Sequence, residues 1–369
     1  MKRIGILTGG GDAPGLNAAI RAVVKTSMGI YDNRVFGIRQ GYEGLLAEDG
    51  VFPLKYDEVQ GILPLGGTIL GAASRGNPFA IQVEEGGEMV TKDISDQVVN
   101  RISELDLDVI VAIGGDGSMA IAKGLIKKGA PIIGIPKTID NDVLATESTI
   151  GFDTAVQMAS SALDRLHTTA EAHHRAMVLE LMGRYAGYIS LMAGVAGGAD
   201  VILIPEIPFK YDVICQKIMA RVRRGTHFSL LAVSEGAHPV DGEMVYQDTE
   251  SPGTPRLGGM GEQVSNLIQE RCEVESRVTV LGHLQRGGSP TAYDRWLASR
   301  FGAVAARLAD KGRYGRMVAL RDGQVIDVDL VETQGDAKTV DVQGAGVQTA
   351  RGLGICMGDR YDYHREMDD

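Results

Sequence analysis

Short apolar runs rich in Ile, Val and Leu alternate along the chain with amphipathic stretches of helical length. This alternation is typical of an α/β protein in which mostly parallel strands are covered by helices on both faces. The predicted strands are Ile4–Thr8, Val35–Ile38, Leu107–Ile113, Pro131–Ile135, Ala176–Leu181, Val201–Ile204, Leu230–Ser234, Val278–Leu281 and Met317–Leu320. The pattern therefore predicts the α/β fold class.

Three amphipathic stretches predict helices, and two other stretches break the pattern. Asp93–Leu105 places its apolar residues on one helical face with Asp93 as the N-cap, and Asp153–Leu166 and Ala292–Leu308 predict longer helices. Residues 236–261 are rich in Gly and predict a surface loop. From about residue 325 the chain is polar and irregular, so we expect a C-terminal extension that is partly mobile.

Composition limits the class of protein. Glycine accounts for 49 of the 369 residues without a collagen-like period, so the excess serves local backbone needs in a folded chain. Acidic residues outnumber basic ones by 48 to 37, for a net charge of −11, which disfavours nucleic acid and anionic membranes as partners. A small anionic substrate would need a local concentration of Arg and Lys.

The N-terminus and the cysteines predict a cytoplasmic protein. The apolar segment Ile4–Leu7 is far shorter than the apolar region of a signal peptide, and no stretch reaches the roughly 18 apolar residues of a membrane helix. Cys215, Cys272 and Cys356 form no CxxC pair. They fit a reducing compartment and predict neither a disulfide framework nor a zinc site.

Clusters of glycine follow three predicted strands, at Gly9–Gly11, Gly114–Ser118 and Met182–Arg184. A glycine turn that leads into a helix lets backbone N–H groups approach phosphate, so three such loops predict a polyphosphate site, although any one of them could be a turn without a ligand. No GxxxxGKS/T sequence is present. Residues 115–120 match the GxGxxA dinucleotide fingerprint, but Asp116 in that turn fits better as a ligand of Mg²⁺.

The segment Pro136–Asp142 follows the next predicted strand and combines two carboxylates, a hydroxyl and an ammonium group. Phosphoryl transfer needs a base for the attacking hydroxyl and cations for the transferring charge, and Asp140 is the candidate base. An Asx-rich turn is the alternative interpretation. Glu235, at the end of a strand, could accept hydrogen bonds from sugar hydroxyls. The basic residues that could bind phosphate are Arg175, Arg184, Arg277, His283 and Arg286.

Five motifs in series resemble those of the 6-phosphofructokinase family: GGDAPGLN (Gly10–Asn17), GGDGS (Gly114–Ser118), PKTIDND (Pro136–Asp142), MGRYAG (Met182–Gly187) and HLQRGGSP (His283–Pro290). The resemblance runs from about residue 3 to 320. It implies transfer of a phosphoryl group from ATP to the 1-hydroxyl of fructose 6-phosphate, which gives fructose 1,6-bisphosphate in glycolysis, with Mg²⁺ as cofactor.

The same resemblance implies an organisation into two similar Rossmann-like lobes with mostly parallel sheets and the active site in the cleft between them. Residues 1–150 with about 284–325 are expected to form the larger, nucleotide-binding lobe. Residues 151–283 are expected to form the sugar-phosphate-binding lobe, and about 326–369 the extension. The absence of a clear linker in the sequence fits a chain that crosses between lobes more than once.

The resemblance also assigns roles to individual residues. Asp140 is implied as the base, Thr138 and Arg184 as further catalytic residues, and Asp116 as the Mg²⁺ site. The implied ATP-binding residues are Gly10, Arg75, Gly76, Gly115, Asp116, Gly117 and Ser118. The implied sugar-phosphate-binding residues are Thr138, Ile139, Asp140, Arg175, Met182, Gly183, Arg184, Glu235, Arg277, His283, Leu284, Gln285 and Arg286. Of these, Arg175 and Arg277 are implied to reach the site of a neighbouring subunit, which predicts a homo-oligomer.

Two positions bear on the phosphoryl donor. Family members that use ATP usually have Gly at the position of Gly117, whereas pyrophosphate users have Asp, whose carboxylate would repel the α-phosphate of a nucleotide. Lys137 points the other way, because pyrophosphate users carry Lys there. We weigh the missing obstruction at Gly117 more heavily and predict ATP. The alternatives are a pyrophosphate-dependent relative and, from another class, a non-catalytic sugar-phosphate-binding regulatory subunit.

Overall fold

The computed structural model describes residues 1–73, 76–85, 87–248, 256–333, 335 and 337–361. The strands within these residues are β1 (Arg3–Thr8), β2 (Arg34–Ile38), β3 (Val51–Leu54), β4 (Ile81–Glu85), β5 (Glu88–Lys92), β6 (Val109–Gly114), β7 (Ile132–Pro136), β8 (Ala176–Leu181), β9 (Val201–Leu203), β10 (Ser229–Ser234), β11 (Tyr246–Asp248), β12 (Arg256–Leu257), β13 (Ser276–Val280), β14 (Arg316–Arg321) and β15 (Gln324–Asp329). The α-helices are α1 (Leu16–Tyr31), α2 (Ser95–Glu104), α3 (Asp116–Lys127), α4 (Phe152–His173), α5 (Tyr188–Ala196), α6 (Tyr211–Arg223), α7 (Met260–Cys272), α8 (Ala292–Asp310) and α9 (Ala345–Gly352).

The chain divides into two compact units, and each unit takes two separate stretches of sequence. Unit 1 comprises Met1–Thr154 and Arg286–Ala337, and unit 2 comprises Ala155–Gln285 and Lys338–Asp369. Each unit has its own sheet and its own buried apolar cluster.

Unit 1 is built on a seven-stranded sheet of order β15-β14-β7-β6-β1-β2-β3. The central strands pair in parallel, and only the edge strands β3 and β15 are antiparallel to their neighbours. The chain passes from β1 to β2 on one side and later returns to β6 on the other. The strand order therefore reverses between β1 and β6, and open α/β sheets bind ligands at the carboxyl ends of strands at such a point.

The alternation of side chains along these strands buries both faces of the sheet. Ile6 and Val111 pack in one apolar cluster with residues of α1 and α8, whereas Leu7 and Ile110 pack in a second cluster with residues of α2 and α3. Helices α1 and α8 approach closely at Gly302, where a Cβ would lie 2.6 Å from that of Ala22.

Unit 2 contains a four-stranded, fully parallel sheet of order β13-β8-β10-β9. The C-terminal segment extends its edge, because Cys356 forms a parallel bridge with Val201 and accepts a hydrogen bond from the Ile202 N–H at 2.9 Å. The core of this unit combines strand residues such as Val178 and Leu231 with Ile214 of α6 and Val264 of α7.

The structure confirms the predicted mixed α/β class with mostly parallel sheets. All nine predicted strands are present with ends within two residues of the expected ones, and the three predicted helices form, α4 extending well beyond its expected end. The prediction of Asp93 as the N-cap of α2 was wrong, because Ile94 occupies that position; Asp93 lies one residue earlier and its Oδ1 accepts a hydrogen bond from the Ser95 N–H at 2.8 Å. Among the described residues no helix is both long and apolar enough to cross a membrane.

The sequence predicted two irregular regions, and the structure contains regular elements in both. The expected loop 236–261 contains the short pair β11 and β12 and the start of α7. The expected C-terminal extension is divided between the units: β15 adds an antiparallel edge strand in unit 1, and the residues from Lys338 onward belong to unit 2. Ile326 and Val328, which alternate with Asp327 and Asp329, were the strand signal that polar composition obscured. Residues 362–369 of the extension that we expected to be partly mobile lie outside the described ones.

Candidate active site

Three loops of unit 1 meet at the carboxyl ends of β1, β6 and β7. The Gly9 N–H donates to the Ile113 carbonyl at 2.9 Å, and the Lys137 N–H donates to the Gly114 carbonyl at 2.9 Å. The loop after β1 lies against the start of α3, since a Cβ on Gly9 would lie 2.7 Å from Ser118 Oγ. Gly10 has a φ of 74°, a left-handed conformation that glycine adopts without strain. The polyphosphate loops predicted from sequence therefore lie side by side where the strand order reverses.

The ammonium group of Lys137 lies inside this junction. Lys137 is 3% exposed, and its Nζ donates to the carbonyls of Gly9, at 3.0 Å, and Gly11. Burial, with a further contribution from Arg286, lowers the pKa of Lys137 to about 8, and nearby carboxylates including Asp140 oppose that shift. The charge of Lys137 is thus used inside the protein to hold the glycine loop after β1.

A cavity of about 430 Å³ opens beside these loops. It is lined by Gly9, Gly10, Gly41, Tyr42, Ala73, Gly76, Asn77, Phe79, Gly117, Ser118, Ala120 and Ile121. Four predicted ATP-binding residues are in that set, and Gly115 and Asp116 directly precede Gly117 at the start of α3. Arg75 lies outside the described residues. A Cβ on Gly117 would meet no atom within 4 Å.

Sequence analysis missed Tyr42. Its side chain lines the cavity and is 4% exposed, yet its hydroxyl has no hydrogen-bond partner among the described residues. Burial raises the pKa of this hydroxyl, so it remains a neutral donor. Nothing in the sequence around Tyr42 distinguishes it from an ordinary core tyrosine.

The segment after β7 folds back on itself and fixes the candidate base. The Thr138 N–H donates to the Ile150 carbonyl at 3.2 Å, and Thr149 Oγ1 donates to the Thr138 carbonyl at 2.7 Å. The Asp140 N–H donates to Thr138 Oγ1 at 3.2 Å. Ile139 is fully buried and anchors the turn. The turn that positions Asp140 is therefore closed by the hydroxyl of Thr138 and not by an Asp or Asn side chain.

Asp140 carries a buried carboxylate oxygen, Oδ1, that has no hydrogen-bond partner among the described residues. Burial raises its pKa and Asp116 adds to that rise, whereas the positive charges of Arg286 and Lys137 lower it. Burial and Asp140 likewise raise the pKa of Asp142 to about 6. A carboxylate with a raised pKa and an unpartnered oxygen is suited to accept a proton.

The residues fit a magnesium ion held partly by substrate. Within the described part of the chain, no three His, Cys, Asp or Glu side chains converge closely enough to hold a metal by themselves. Mg²⁺ retains several waters and binds through one or two carboxylates together with phosphate oxygens. Asp116 supplies an exposed carboxylate at the start of α3, and Asp142, like Asp140, has a buried Oδ1 with no hydrogen-bond partner among the residues that the structure describes.

Asp294 of α8 holds the start of α4, which follows the segment that contains Asp140. It is fully buried, and its carboxylate accepts hydrogen bonds from the Gly151 N–H at 3.0 Å, the Thr154 N–H at 2.8 Å and Thr154 Oγ1 at 2.5 Å. The sequence offered no signal for this role, because Asp294 falls in a helix and its partners lie about 140 positions away.

In unit 2, the loop Met182–Gly187 follows β8 and is pressed against the loop that follows β10. Gly183 has a φ of 140°, and a Cβ there would lie 2.9 Å from the Ala186 carbonyl oxygen. A Cβ on Gly236 would collide with the Arg184 carbonyl oxygen. The Glu235 N–H donates to the Leu181 carbonyl at 2.8 Å. The unit thus brings together Met182, Gly183, Arg184 and Glu235 at the carboxyl ends of β8 and β10.

The turn Gly282–Arg286 carries four of the other predicted residues. His283 and Leu284 are exposed, whereas Gln285 is fully buried and its amide donates to the Gly282 carbonyl at 3.1 Å. Arg286, which belongs to unit 1, donates to the Asp12 carbonyl at 3.3 Å and lies against Gly11. Arg286 therefore lies near the phosphate loops of its own unit.

Arg175 and Arg277 lie at the opposite ends of the strands in the unit 2 sheet. They lie at the amino-terminal ends of β8 and β13, and both form ion pairs with Glu275, at 2.9 Å and 2.6 Å. The six residues of β8 separate Arg175 from the Met182–Gly187 loop by about 20 Å along the strand. Within one chain the sheet keeps these arginines away from Arg184, and Glu275 is a partner that sequence analysis missed.

The sequence matches the family described as Phosphofructokinase over residues 3–309. The chain belongs to the phosphofructokinase family. The five motifs that carried the prediction all lie within the matched range. The family predicted from sequence is confirmed.

The names of two relatives in this family state different phosphoryl donors. An ATP-dependent 6-phosphofructokinase of Chloroflexus aurantiacus is 49% identical over 358 residues, which cover 97% of this chain and 98% of that protein. A pyrophosphate–fructose 6-phosphate 1-phosphotransferase of Streptomyces coelicolor is 46% identical over 342 residues, which cover 92% of this chain and 96% of that protein. The solved structure of phosphofructokinase from Saccharomyces cerevisiae aligns with a TM-score of 0.75 at 31% identity, over 90% of this chain and 45% of that longer chain.

The burial of Asp294 predicts a pH-dependent difference between wild type and Asp294→Asn. Burial raises the pKa of Asp294 to about 6, so its ionisation destabilises the folded state as pH rises through 6, and asparagine cannot ionise. Between pH 4 and 7.5 we expect the difference in free energy of unfolding to move in favour of the variant by about 2 kcal/mol, measured by urea denaturation at each pH. Asp212→Asn, which changes an exposed carboxylate, is the control. A difference that does not change with pH would contradict this account of Asp294.

Proposed function

We propose that this phosphofructokinase transfers the γ-phosphoryl group of ATP to the 1-hydroxyl of fructose 6-phosphate, which gives fructose 1,6-bisphosphate and ADP in glycolysis. The observation that carries the proposal is a buried oxygen of Asp140 that has no partner within the described part of the chain and lies near two cations, Lys137 and Arg286. It lies in the unit whose glycine loops converge at the reversal of strand order. The relative of C. aurantiacus supports the donor and the acceptor, since its name contains both.

In the proposed reaction Asp140 takes the proton of the 1-hydroxyl. The hydroxyl oxygen forms a bond to the γ-phosphorus, the bond to the bridging oxygen of ADP breaks, and the proton stays on Asp140 until product leaves. Its raised pKa makes Asp140 a stronger base for this proton transfer than an ordinary carboxylate. Mg²⁺ held at Asp116 would neutralise phosphate charge when bound. Arg184 and Thr138 are the other residues that we assign to catalysis.

Gly117 supports ATP as the donor. The cavity beside the glycine loops extends past Gly117, where the absence of a side chain leaves room for the nucleotide. Lys137 does not oppose this assignment, because its ammonium group is bonded to two backbone carbonyls. We assign nucleotide binding to Gly10, Arg75, Gly76, Gly115, Asp116, Gly117 and Ser118, with Tyr42 as an addition from the cavity lining.

We assign the sugar phosphate to a separate group of residues. Glu235 and Arg184 would bind sugar hydroxyls and transferring charge, and His283 with Arg286 would bind the 6-phosphate. The other members of this group are Thr138, Ile139, Met182, Gly183, Leu284 and Gln285. A cytoplasmic location is part of the proposal, and it is supported by the three cysteines, which are free.

The proposal includes a homo-oligomer in which Arg175 and Arg277 reach the site of a neighbouring subunit. Their place at the amino-terminal ends of β8 and β13 supports it, since Arg184 and Glu235 lie at the carboxyl ends of the same sheet. Glu275 holds both guanidinium groups next to each other. Two neighbouring arginines at the amino-terminal ends of these strands suit a phosphate that approaches from outside the subunit.

Asp140→Asn should lower kcat by about 10²–10⁴-fold, the usual contribution of a positioned general base. The amide has the shape of the carboxylate but cannot take the proton. Binding of fructose 6-phosphate, measured by calorimetry, should stay within about threefold of wild type, because the variant keeps the shape of the site. Turnover near the wild-type value would contradict the assignment of Asp140.

Gly117→Asp should depress kcat/KM for ATP far more than for pyrophosphate, because its carboxylate would project into the cavity toward nucleotide phosphates. Gly117→Ala is the matched control, since it adds a methyl group without charge. A loss that is equal for both donors would contradict the assignment of Gly117. Faster use of pyrophosphate by wild type would favour the activity named for the S. coelicolor relative.

A mixture of two defective chains should recover activity if subunits share sites. We expect Arg277→Ser to be weakly active at low fructose 6-phosphate and Asp140→Asn to be inactive. Co-expressed in one oligomer, they form some sites with Asp140 from one chain and Arg277 from the other, so turnover should reappear at low fructose 6-phosphate. No recovery in an isolated hybrid, purified by two different tags, would contradict the shared site.

A further inference from the structure

Glu206, which lies just beyond β9 in unit 2, holds together two parts of the chain that are distant in sequence. Its Oε1 accepts a hydrogen bond from the Gly187 N–H at 2.9 Å and another from the Val340 N–H at 2.7 Å. Its Oε2 accepts a second, longer hydrogen bond from the Gly187 N–H at 3.2 Å. The carboxylate is therefore a bridge between the end of the Met182–Gly187 loop and the C-terminal segment.

The C-terminal segment has a second contact at the same place. The hydroxyl of Tyr188 donates to the Thr339 carbonyl at 2.6 Å, and the Lys338 ammonium lies 5.3 Å from the centre of the Tyr188 ring. Three consecutive residues, 338–340, are thus bound to Tyr188 and Glu206. Further along, Cys356 pairs with the edge of β9, so the segment is fixed to unit 2 at both ends.

The bridge affects the position of Arg184, because Gly187 is the last residue of the loop that contains Arg184. No side chain fits at Gly187, where a Cβ would collide with Ile204 and lie 2.8 Å from Glu206 Oε2. On the other side, the Gly236 N–H donates to the Gly183 carbonyl at 3.2 Å. The loop is consequently held at its start by the sheet and at its end by Glu206.

We propose that Glu206 is a positioning residue that, with the backbone of residues 338–340, fixes the end of the Met182–Gly187 loop and so aims Arg184 at the sugar phosphate. This inference rests on the proposed function for the ligand of Arg184. It gives the C-terminal segment a role in the reaction, which neither its polar composition nor the five motifs indicated. Positioning of a charged group to within about 1 Å can change a rate by about 10²-fold.

The test compares Glu206→Ala, Glu206→Gln and Tyr188→Phe in the full-length chain. Glutamine keeps Oε1, which accepts from the Gly187 and Val340 N–H groups, and loses only the longer bond of Gly187 to Oε2, whereas alanine removes all three bonds. We expect Glu206→Ala to lower kcat/KM for fructose 6-phosphate by about 10–100-fold, with KM for ATP within about threefold of wild type. Glu206→Gln should restore most of that loss. Tyr188→Phe, which keeps the ring and removes one hydrogen bond, should act in the same direction but less.

Amide hydrogen exchange provides a second measurement that does not depend on activity. We expect Glu206→Ala to speed exchange in peptides covering residues 182–188 and 338–342, with Glu262→Gln on the exposed face of α7 as the control for loss of a carboxylate. Unchanged exchange in those peptides would overturn the bridge. A variant that loses thermal stability but keeps kcat/KM for fructose 6-phosphate would show a structural role only and would also overturn the proposal.

The two proposals fail separately. A wild-type chain that phosphorylates no fructose 6-phosphate would refute the proposed function, while the exchange data would still decide whether Glu206 holds the loop. If Glu206→Ala does not fold, Tyr188→Phe decides alone. An unchanged kcat/KM and unchanged exchange in that variant would then contradict the positioning role.

Discussion

The buried ammonium group of Lys137 is the interaction on which the phosphate end of the unit 1 sheet depends. It donates to the carbonyls of Gly9 and Gly11, so the loop after β1 is tied to the segment that begins after β7. A buried cation that loses its partners destabilises a protein by several kcal/mol, and opening the glycine loop would leave this one without them. The loop is therefore held in a fixed shape before phosphate arrives, which is what transfer between bound substrates requires.

Two carboxylates elsewhere in the chain hold backbone in the same way. In unit 1, Asp294 binds backbone N–H groups at the start of α4. In unit 2, Glu206 binds the N–H of Gly187, at the end of the loop that contains Arg184. Each has partners for its charge. Asp140 differs, because one of its buried oxygens has no partner among the described residues. The contrast separates the groups that support the site from the group that is available to react.

Sequence patterns predicted most of the sheet and the loops that carry chemistry, because buried strands are continuous apolar runs and phosphate loops need glycine. They could not predict contacts between distant positions. Lys137 was read as a cation for the donor, whereas the structure bonds it to two carbonyls. The pairing of Arg175 with Glu275 and the hydrogen bond of Val340 to Glu206 depend on the register and packing of unit 2. The polar C-terminal segment gave no periodic signal of its place in that unit.

The most direct test of the account is a comparison of phosphoryl donors with the wild-type chain. Initial rates are measured with fructose 6-phosphate as acceptor and Mg²⁺ present, with ATP and pyrophosphate varied in parallel and the product identified by phosphorus NMR. The account predicts fructose 1,6-bisphosphate as the product and a larger kcat/KM for ATP than for pyrophosphate. A larger kcat/KM for pyrophosphate would contradict the role of Gly117, and binding of fructose 6-phosphate without turnover of either donor would contradict the catalytic role of Asp140.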